Sequence, residues 1–325
     1  MGNPLPEQPK VVLTDAIHPD AHAALAREAI VLSPDPQLAG TAAADALRHL
    51  VQDAQGLIVR RQLPADIFDG PHSLRGVVRH GVGVDFIPVD RATAQGLPVA
   101  NTPDVNANAV AEYAVMAMLE SARRLRHFDA EVRRGAWAAR REAGALTYEL
   151  RGRALGIVGF GAIGRRVAEI ASAGFGMQVA AHTRSVSRLP AAVGACGLAE
   201  LFERSDFVVL ACPLTEQTRG MIGHQVLARA RPGLVLVNVA RGPVIDEPAL
   251  VSALQAGALG GAVLDVFATQ PLPMDSPLRN HPRVTLTPHL AGTTGDAERA
   301  MGLLAVQTQL ALIRGERPSN IVNFQ

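Results

Sequence analysis

The chain has 325 residues, 48% of them hydrophobic, which suits two folded domains and excludes a disordered or fibrous protein. Thirty-one basic residues stand against 30 acidic ones, so no net field favours nucleic acid or an anionic membrane surface, and neither partner is expected. No apolar run approaches the roughly 18 residues that a membrane span requires.

The first ten residues are rich in proline, without an apolar signal core, and Pro6 breaks a myristoylation pattern. Lys10 is the only lysine and is assigned to this leader. That placement argues against a Schiff-base lysine or a phosphate loop of the Walker type. Cys196 and Cys212 form no CxxC or zinc spacing, and a reduced, cytoplasmic protein is expected.

Along the chain, short β-rich runs alternate with longer helical stretches, the signature of α/β architecture. Residues 11–14, 56–59 and 77–80 read as buried strands. After Asn101-Thr102-Pro103 come two helical stretches, residues 108–124 and 128–134. A second alternation places strands at 155–159, 179–182, 207–211, 234–239, 261–264 and 284–287. The last stretch, 296–314, reads as a helix that stops at Gly315 with Pro318 beyond it.

Gly159-Phe160-Gly161-Ala162-Ile163-Gly164 follows an apolar strand and opens a helical run from residue 163 to 172. In that context GxGxxG is a dinucleotide fingerprint: a tight turn, an open approach for the pyrophosphate, and close packing of helix on strand. Ala162 and Ile163 belong to the same turn. About 20 residues on, an NAD-preferring site carries a carboxylate for the ribose hydroxyls. Here the chain reads His182-Thr183-Arg184-Ser185, with Arg188 close behind. Hydroxyls and a guanidinium suit a 2′-phosphate, so NADP(H) is expected to be preferred, with NAD(H) the alternative.

Several motifs in order resemble the D-isomer-specific 2-hydroxyacid dehydrogenase family, which includes glyoxylate and hydroxypyruvate reductases. They are Val82-Gly83-Val84-Asp85, Asn106 with Val110-Ala111-Glu112, the glycine loop, Cys212-Pro213-Leu214-Thr215, Asn238-Val239-Ala240-Arg241-Gly242, Leu264-Asp265-Val266-Phe267 and Thr287-Pro288-His289-Leu290-Ala291-Gly292. The resemblance implies two Rossmann-like, doubly wound parallel-sheet domains with an active-site cleft between them. Residues 1–103 and 290–325 would form a discontinuous substrate domain, and 104–289 the dinucleotide-binding domain. It also implies a homodimer, a small 2-oxo acid substrate, and substrate contacts from Val82, Gly83, Asn106 and Arg60. Asp265 would hold the nicotinamide carboxamide, with Pro213, Ala240 and Gly292 as further cofactor contacts.

The chemistry agrees with that resemblance. Moving hydride to a 2-oxo acid needs a cation to hold and polarise the substrate and an acid to protonate the new alkoxide. Arg241, in the turn after an apolar strand, fits the first role, and His289, after the strand at 284–287, fits the second. One position departs from the family pattern. The family reads Asp-Val-Phe-x-x-Glu-Pro, whereas this chain has Gln270 before Pro271. An amide orients a histidine without stabilising its positive charge, so reduction is expected to fall off at a lower pH than with Glu.

The Gln270–His289 pair, with Asn106 and Arg241, also resembles formate dehydrogenases, an alternative in which no alcohol proton is managed. A nicotinamide-sensing, corepressor-like protein is the alternative outside enzymology. Arg60, Arg61 and Arg79 leave open a phosphorylated or sulfonated substrate. His80, His127, His182 and His224 show no metal-ligand spacing, and no metal is expected. Cys212 reads as a small packing residue, and Trp137 as core or an interface anchor.

Overall fold

The structure is a computed structural model and describes residues 8–324, so most of the proline-rich start lies outside the described residues. The chain divides into two compact units. One runs up to Asn106 and resumes at Thr293; the other is Ala107–Gly292.

The first unit is built on β1 (Lys10–Leu13), β2 (Ile30–Leu32), β3 (Gly56–Val59), β4 (Gly76–Arg79) and β5 (Val99–Ala100). All pair in parallel in the order β2-β1-β3-β4-β5. The residues of β1, β3 and β4 are largely buried on both faces, which is why these three strands read as unbroken apolar runs, whereas the edge strand β2 has no buried residue. Val11, Leu13, Ile58 and Val78 pack with Ala21, Leu25 and the C-terminal helix Gly295–Ile313. Val12, Leu57, Val59 and Val77 form the opposite core with Leu47, Val51 and Phe68. Thr294 starts the C-terminal helix by accepting from the Ala297 N–H, with Asp296 and Glu298 in its first turn.

The second unit carries β6 (Ala154–Val158), β7 (Gln178–His182), β8 (Gly194–Ala195), β9 (Phe207–Leu210), β10 (Val235–Asn238), β11 (Gly261–Leu264) and β12 (Val284–Leu286). Their order is β12-β11-β10-β9-β6-β7-β8, again all parallel. The order reverses at β6, between β7 and β9, and open α/β sheets bind ligands at the carboxyl ends of the strands at such a reversal. Ile157, Phe207 and Val237 face a core shared with the helices Ala107–Arg123 and Ala162–Glu169. Leu210, Leu236 and Leu264 face the other core, with Phe202 and Leu250. Both units are thus doubly wound α/β folds.

Three expectations change. Lys10 opens β1, its N–H donating to Gln55 Oε1 at 2.8 Å, and is no part of a leader. Trp137 is 71% exposed, which rules out the core-packing reading. The helix expected at 128–134 begins earlier, as Leu125–Arg133, and the short strands β2, β5 and β8 were not marked by the sequence pattern. Strands of two or three residues carry too little periodicity to stand out.

Candidate active site

The glycine turn sits directly after β6. Gly159 has φ 93, and a Cβ there would meet the Cys212 backbone at 2.7 Å, beside Pro213. A Cβ on Gly164 would lie 2.2 Å from Gly159 O. Both positions therefore exclude a side chain. At Gly161, which starts the helix Ala162–Glu169, a Cβ would meet nothing within 4 Å. An open backbone at a helix N-terminus is what a pyrophosphate needs, so these residues fit a dinucleotide. The helix ends in a π turn, Ile170–Gly174, rather than running on as regular α-helix to residue 172.

Thr183, Arg184 and Ser185 follow β7. Ser185 N–H donates to Thr183 Oγ1 at 3.2 Å, and His182 Nδ1 lies 3.2 Å from Cys196 O. Arg184, Ser185 and Arg188 are exposed, and among the described residues neither arginine has an ion-pair partner. No carboxylate occurs between His182 and Arg188.

Arg241 is placed by a polar residue at the end of an apolar strand. Asn238 is fully buried; its Oδ1 accepts from Ala240 N–H at 3.0 Å and its Nδ2 donates to Arg241 O at 3.1 Å. The Arg241 guanidinium donates from Nη1 to Ala240 O at 2.8 Å. Ala240 itself is buried.

His289 stands in a loop held by Asp265. The Asp265 carboxylate is 1% exposed and accepts three hydrogen bonds: Oδ1 from Thr287 Oγ1 at 2.6 Å and Leu290 N–H at 2.8 Å, and Oδ2 from Ala291 N–H at 2.8 Å. Its backbone O accepts from His289 N–H at 2.9 Å. Tyr113 Oη lies 2.5 Å from Thr287 Oγ1, and burial pushes the Tyr113 phenol above its ordinary pKa. Between these anchors His289 has φ 55, a left-handed backbone that a non-glycine residue adopts at a cost of about 1–3 kcal/mol. The ring is exposed, and its Nδ1 lies 3.3 Å from Gln270 Oε1. As acceptor from Nδ1–H, that oxygen engages Nδ1 and not Nε2.

The structure therefore brings His289, Gln270 and Asp265 together, with Gly292 one residue past the Asp265-bound Ala291. A cavity of about 590 Å³ adjoins them, lined by Phe267, Leu272, Arg279 and Leu286 among others. Gln270 and Pro271, joined by a cis peptide bond, also line it.

In the first unit, Val82 and Gly83 lie in the loop after β4, and Asn106 is the last residue before the second unit, with a buried Oδ1 that has no partner. Arg60 pairs with Glu298 at 2.8 Å and also donates to Ala16 O at 2.5 Å. Arg61 pairs with Asp15, and Arg79 donates to Val59 O and Gly83 O. All three arginines offered for an anionic substrate tail are thus engaged within their own unit. Cys212 is buried and its thiol is pushed up to about 11 by desolvation, which supports packing over reactivity.

Among the described residues, no cluster of three or more His, Cys, Asp or Glu could hold a metal ion, and no helix is long and apolar enough to cross a membrane. Sequence reasoning named Asn238 and Thr287 within motifs but gave them no supporting role, and it missed Tyr113. A polar residue closing a buried apolar strand, as Asn238 does, was the available signal.

A parallel sheet whose order reverses beside a glycine turn, with open backbone at a helix start, defines a dinucleotide-binding α/β protein. The chain belongs to the D-isomer specific 2-hydroxyacid dehydrogenase family: residues 115–291 match that family's NAD binding domain. It is 39% identical to a glyoxylate reductase of Pyrococcus furiosus, over 85% of this chain and 84% of the relative. It is 35% identical to D-3-phosphoglycerate dehydrogenase of Methanocaldococcus jannaschii over 97% of this chain, which spans only 59% of that relative's length. Among solved structures, an NADPH-dependent glyoxylate/hydroxypyruvate reductase from Sinorhizobium meliloti, in complex with NADP and malonate, is similar at TM-score 0.84 and 32% identity, with 97% of each chain covered.

Proposed function

We propose that this protein reduces a small 2-oxo acid of the glyoxylate or hydroxypyruvate type to its 2-hydroxy acid, with NADPH preferred over NADH. The observation that carries the reading is His289, fixed in a strained turn by Asp265 with its Nδ1 against Gln270. The glyoxylate reductases among its relatives support the substrate class.

Gly159, Gly161, Ala162, Ile163 and Gly164 would hold the pyrophosphate, and Thr183, Arg184 and Ser185 the 2′-phosphate. Pro213, Ala240, Asp265 and Gly292 would complete the cofactor contacts; the reduced nicotinamide supplies the hydride when bound. Arg241 offers a two-pronged guanidinium that holds the acid and polarises its ketone. The His289 imidazolium would give its Nε2 proton to the alkoxide formed at the former carbonyl oxygen and remain in place as neutral imidazole. Gln270 keeps the other ring proton on Nδ1. Val82 and Gly83 would offer backbone N–H groups to the substrate carboxylate, with Asn106 and Arg60 as further substrate contacts from the chain's first unit.

A homodimer is part of this reading. The segment 125–146 buries no side chain of its own, yet carries the exposed apolar residues Leu125, Val132 and Trp137. Two unpaired thiols agree with a cytoplasmic setting. The test is loss of reduced-cofactor absorbance, with NADPH and NADH side by side over glyoxylate, hydroxypyruvate, pyruvate and phenylpyruvate. Turnover favouring NADPH is expected; turnover with NADH alone overturns the phosphate-site assignment. An amide rather than a carboxylate against His289 Nδ1 favours formate oxidation as the second reading, checked by adding formate and oxidised cofactor.

A further inference from the structure

The loop after β4 has its carbonyl oxygens held in succession. Gly81 O accepts from Thr102 N–H at 3.0 Å, Val82 O from Asn101 Nδ2 at 2.7 Å, and Gly83 O from Arg79 Nε at 3.2 Å. Gly81 N–H is also occupied, by Thr102 Oγ1 at 2.8 Å. Among the described residues, the next three amides, those of Val82, Gly83 and Val84, donate to no acceptor.

A trans peptide points its N–H opposite to its C=O. The only cis bond among the described residues is Gln270–Pro271, so every peptide of this loop is trans. Holding Gly81 O, Val82 O and Gly83 O therefore aims the N–H groups of Val82, Gly83 and Val84 away from Thr102, Asn101 and Arg79. Successive unpaired amides of this kind form an anion-binding concavity.

Arg79 is the side chain best suited to hold it. Its Nη1 donates to Val59 O at 2.7 Å at the end of β3, while Nε reaches Gly83 O, so one planar group ties two loop starts together. The Phe86 ring lies 4.5 Å from the guanidinium carbon and fixes its plane. A lysine offers neither the fork nor the stacking face.

We infer that Arg79, with Asn101 and Thr102, is a positioning residue that presents the Val82–Val84 amides to the substrate carboxylate, and so imposes the demand for an acid beside the ketone. This inference rests on the proposed 2-oxo acid reduction. Arg79 touches no substrate in it; it acts through the loop.

The experiment compares glyoxylate with its uncharged amide, glyoxylamide, using NADPH, for the wild-type protein, Arg79→Lys, Asn101→Ala and Phe86→Leu, with thermal midpoints recorded for each. For Arg79→Lys and Asn101→Ala, kcat/KM for the acid is expected to fall about tenfold or more through KM, with kcat and the amide reaction little changed. Phe86→Leu keeps the guanidinium and should show a smaller loss of the same kind. Equal losses on acid and amide, or none, overturn the inference. Calorimetric titration with oxalate gives a readout free of turnover. If the wild-type protein reduces none of the acids, the proposed function fails, yet weaker oxalate binding in Arg79→Lys still supports the loop's role. Oxalate affinity equal in both proteins, or absent in the wild type, overturns it.

Discussion

Two loops in different units of this protein solve opposite problems with the same backbone groups. In the loop after β4, carbonyl oxygens are tied down by Thr102, Asn101 and Arg79, and amides are left open. In the loop after β12, the amides of His289, Leu290 and Ala291 are taken by the backbone oxygen and carboxylate of Asp265, and an exposed ring is carried outward. Free amides attract an anion. Occupied amides do not, so the second loop presents its histidine without a competing anion site beside it. Which half of the peptide is restrained decides whether a loop binds charge or carries a side chain.

Removing the carboxylate should break the second loop most severely. Asp265→Ala removes the acceptor of the Leu290 and Ala291 amides and one partner of the Thr287 hydroxyl, and releases the strained His289 backbone. Reduction by the variant is expected to fall at least about 100-fold in kcat, in keeping with loss of a positioned general acid, and thermal unfolding should come earlier. Asp265→Asn, which retains one oxygen acceptor, should recover part of the rate; full activity in Asp265→Ala would refute the assignment.

The first loop should yield more gently. Thr102→Val removes the acceptor for Gly81 N–H but keeps the backbone bond to Gly81 O, so KM for a 2-oxo acid is expected to rise about threefold to tenfold with kcat nearly constant. Steady-state kinetics would show a kcat loss instead if the loop were part of the proton-transfer machinery.

Gln270→Glu sharpens the chemical side of the contrast. A carboxylate beside Nδ1 stabilises the imidazolium, so the basic limb of the reduction profile should move up by about 1–3 pH units. An unmoved limb would separate Gln270 from the histidine's function.

A further effect concerns stability rather than rate. His80, buried at the end of β4 with its Nε2 unpartnered, is lowered to about 4, first by desolvation and then by the Arg60 charge. Its folded-state value lies below the unfolded one, so the unfolded chain binds the extra proton. Stability is complete above about pH 6.5 and declines by about 3 kcal/mol as the pH falls to about 4. Thermal midpoints across this window should flatten in His80→Leu, and an unchanged slope would remove His80 as the cause.

Legibility in the sequence followed the range of the interaction. The apolar runs of β3 and β9, the glycine turn and the Gln270–His289 spacing were readable because burial and local turns leave a signal within a few residues. Asp265 was readable as a site position, but its bonds to Leu290 and Ala291 cross 25 and 26 residues and depend on β11 lying beside β12. Arg79 was read only as a cation open to a substrate. Its tie to Val59 O exists because β3 and β4 are neighbours, which residue spacing does not encode. The exposure of Trp137 escaped for the same reason, since a large apolar residue looks alike in sequence whether covered or bare.

Lys10, placed at the start of β1, is the only lysine of the chain, so almost every cationic side chain is a guanidinium that holds its proton throughout the alkaline range. Both tyrosines and both cysteines are pushed above their ordinary values, chiefly by burial, Cys212 to about 11. The chain's phenols and thiols therefore give up their protons later than exposed ones would, while the guanidinium charges around them persist.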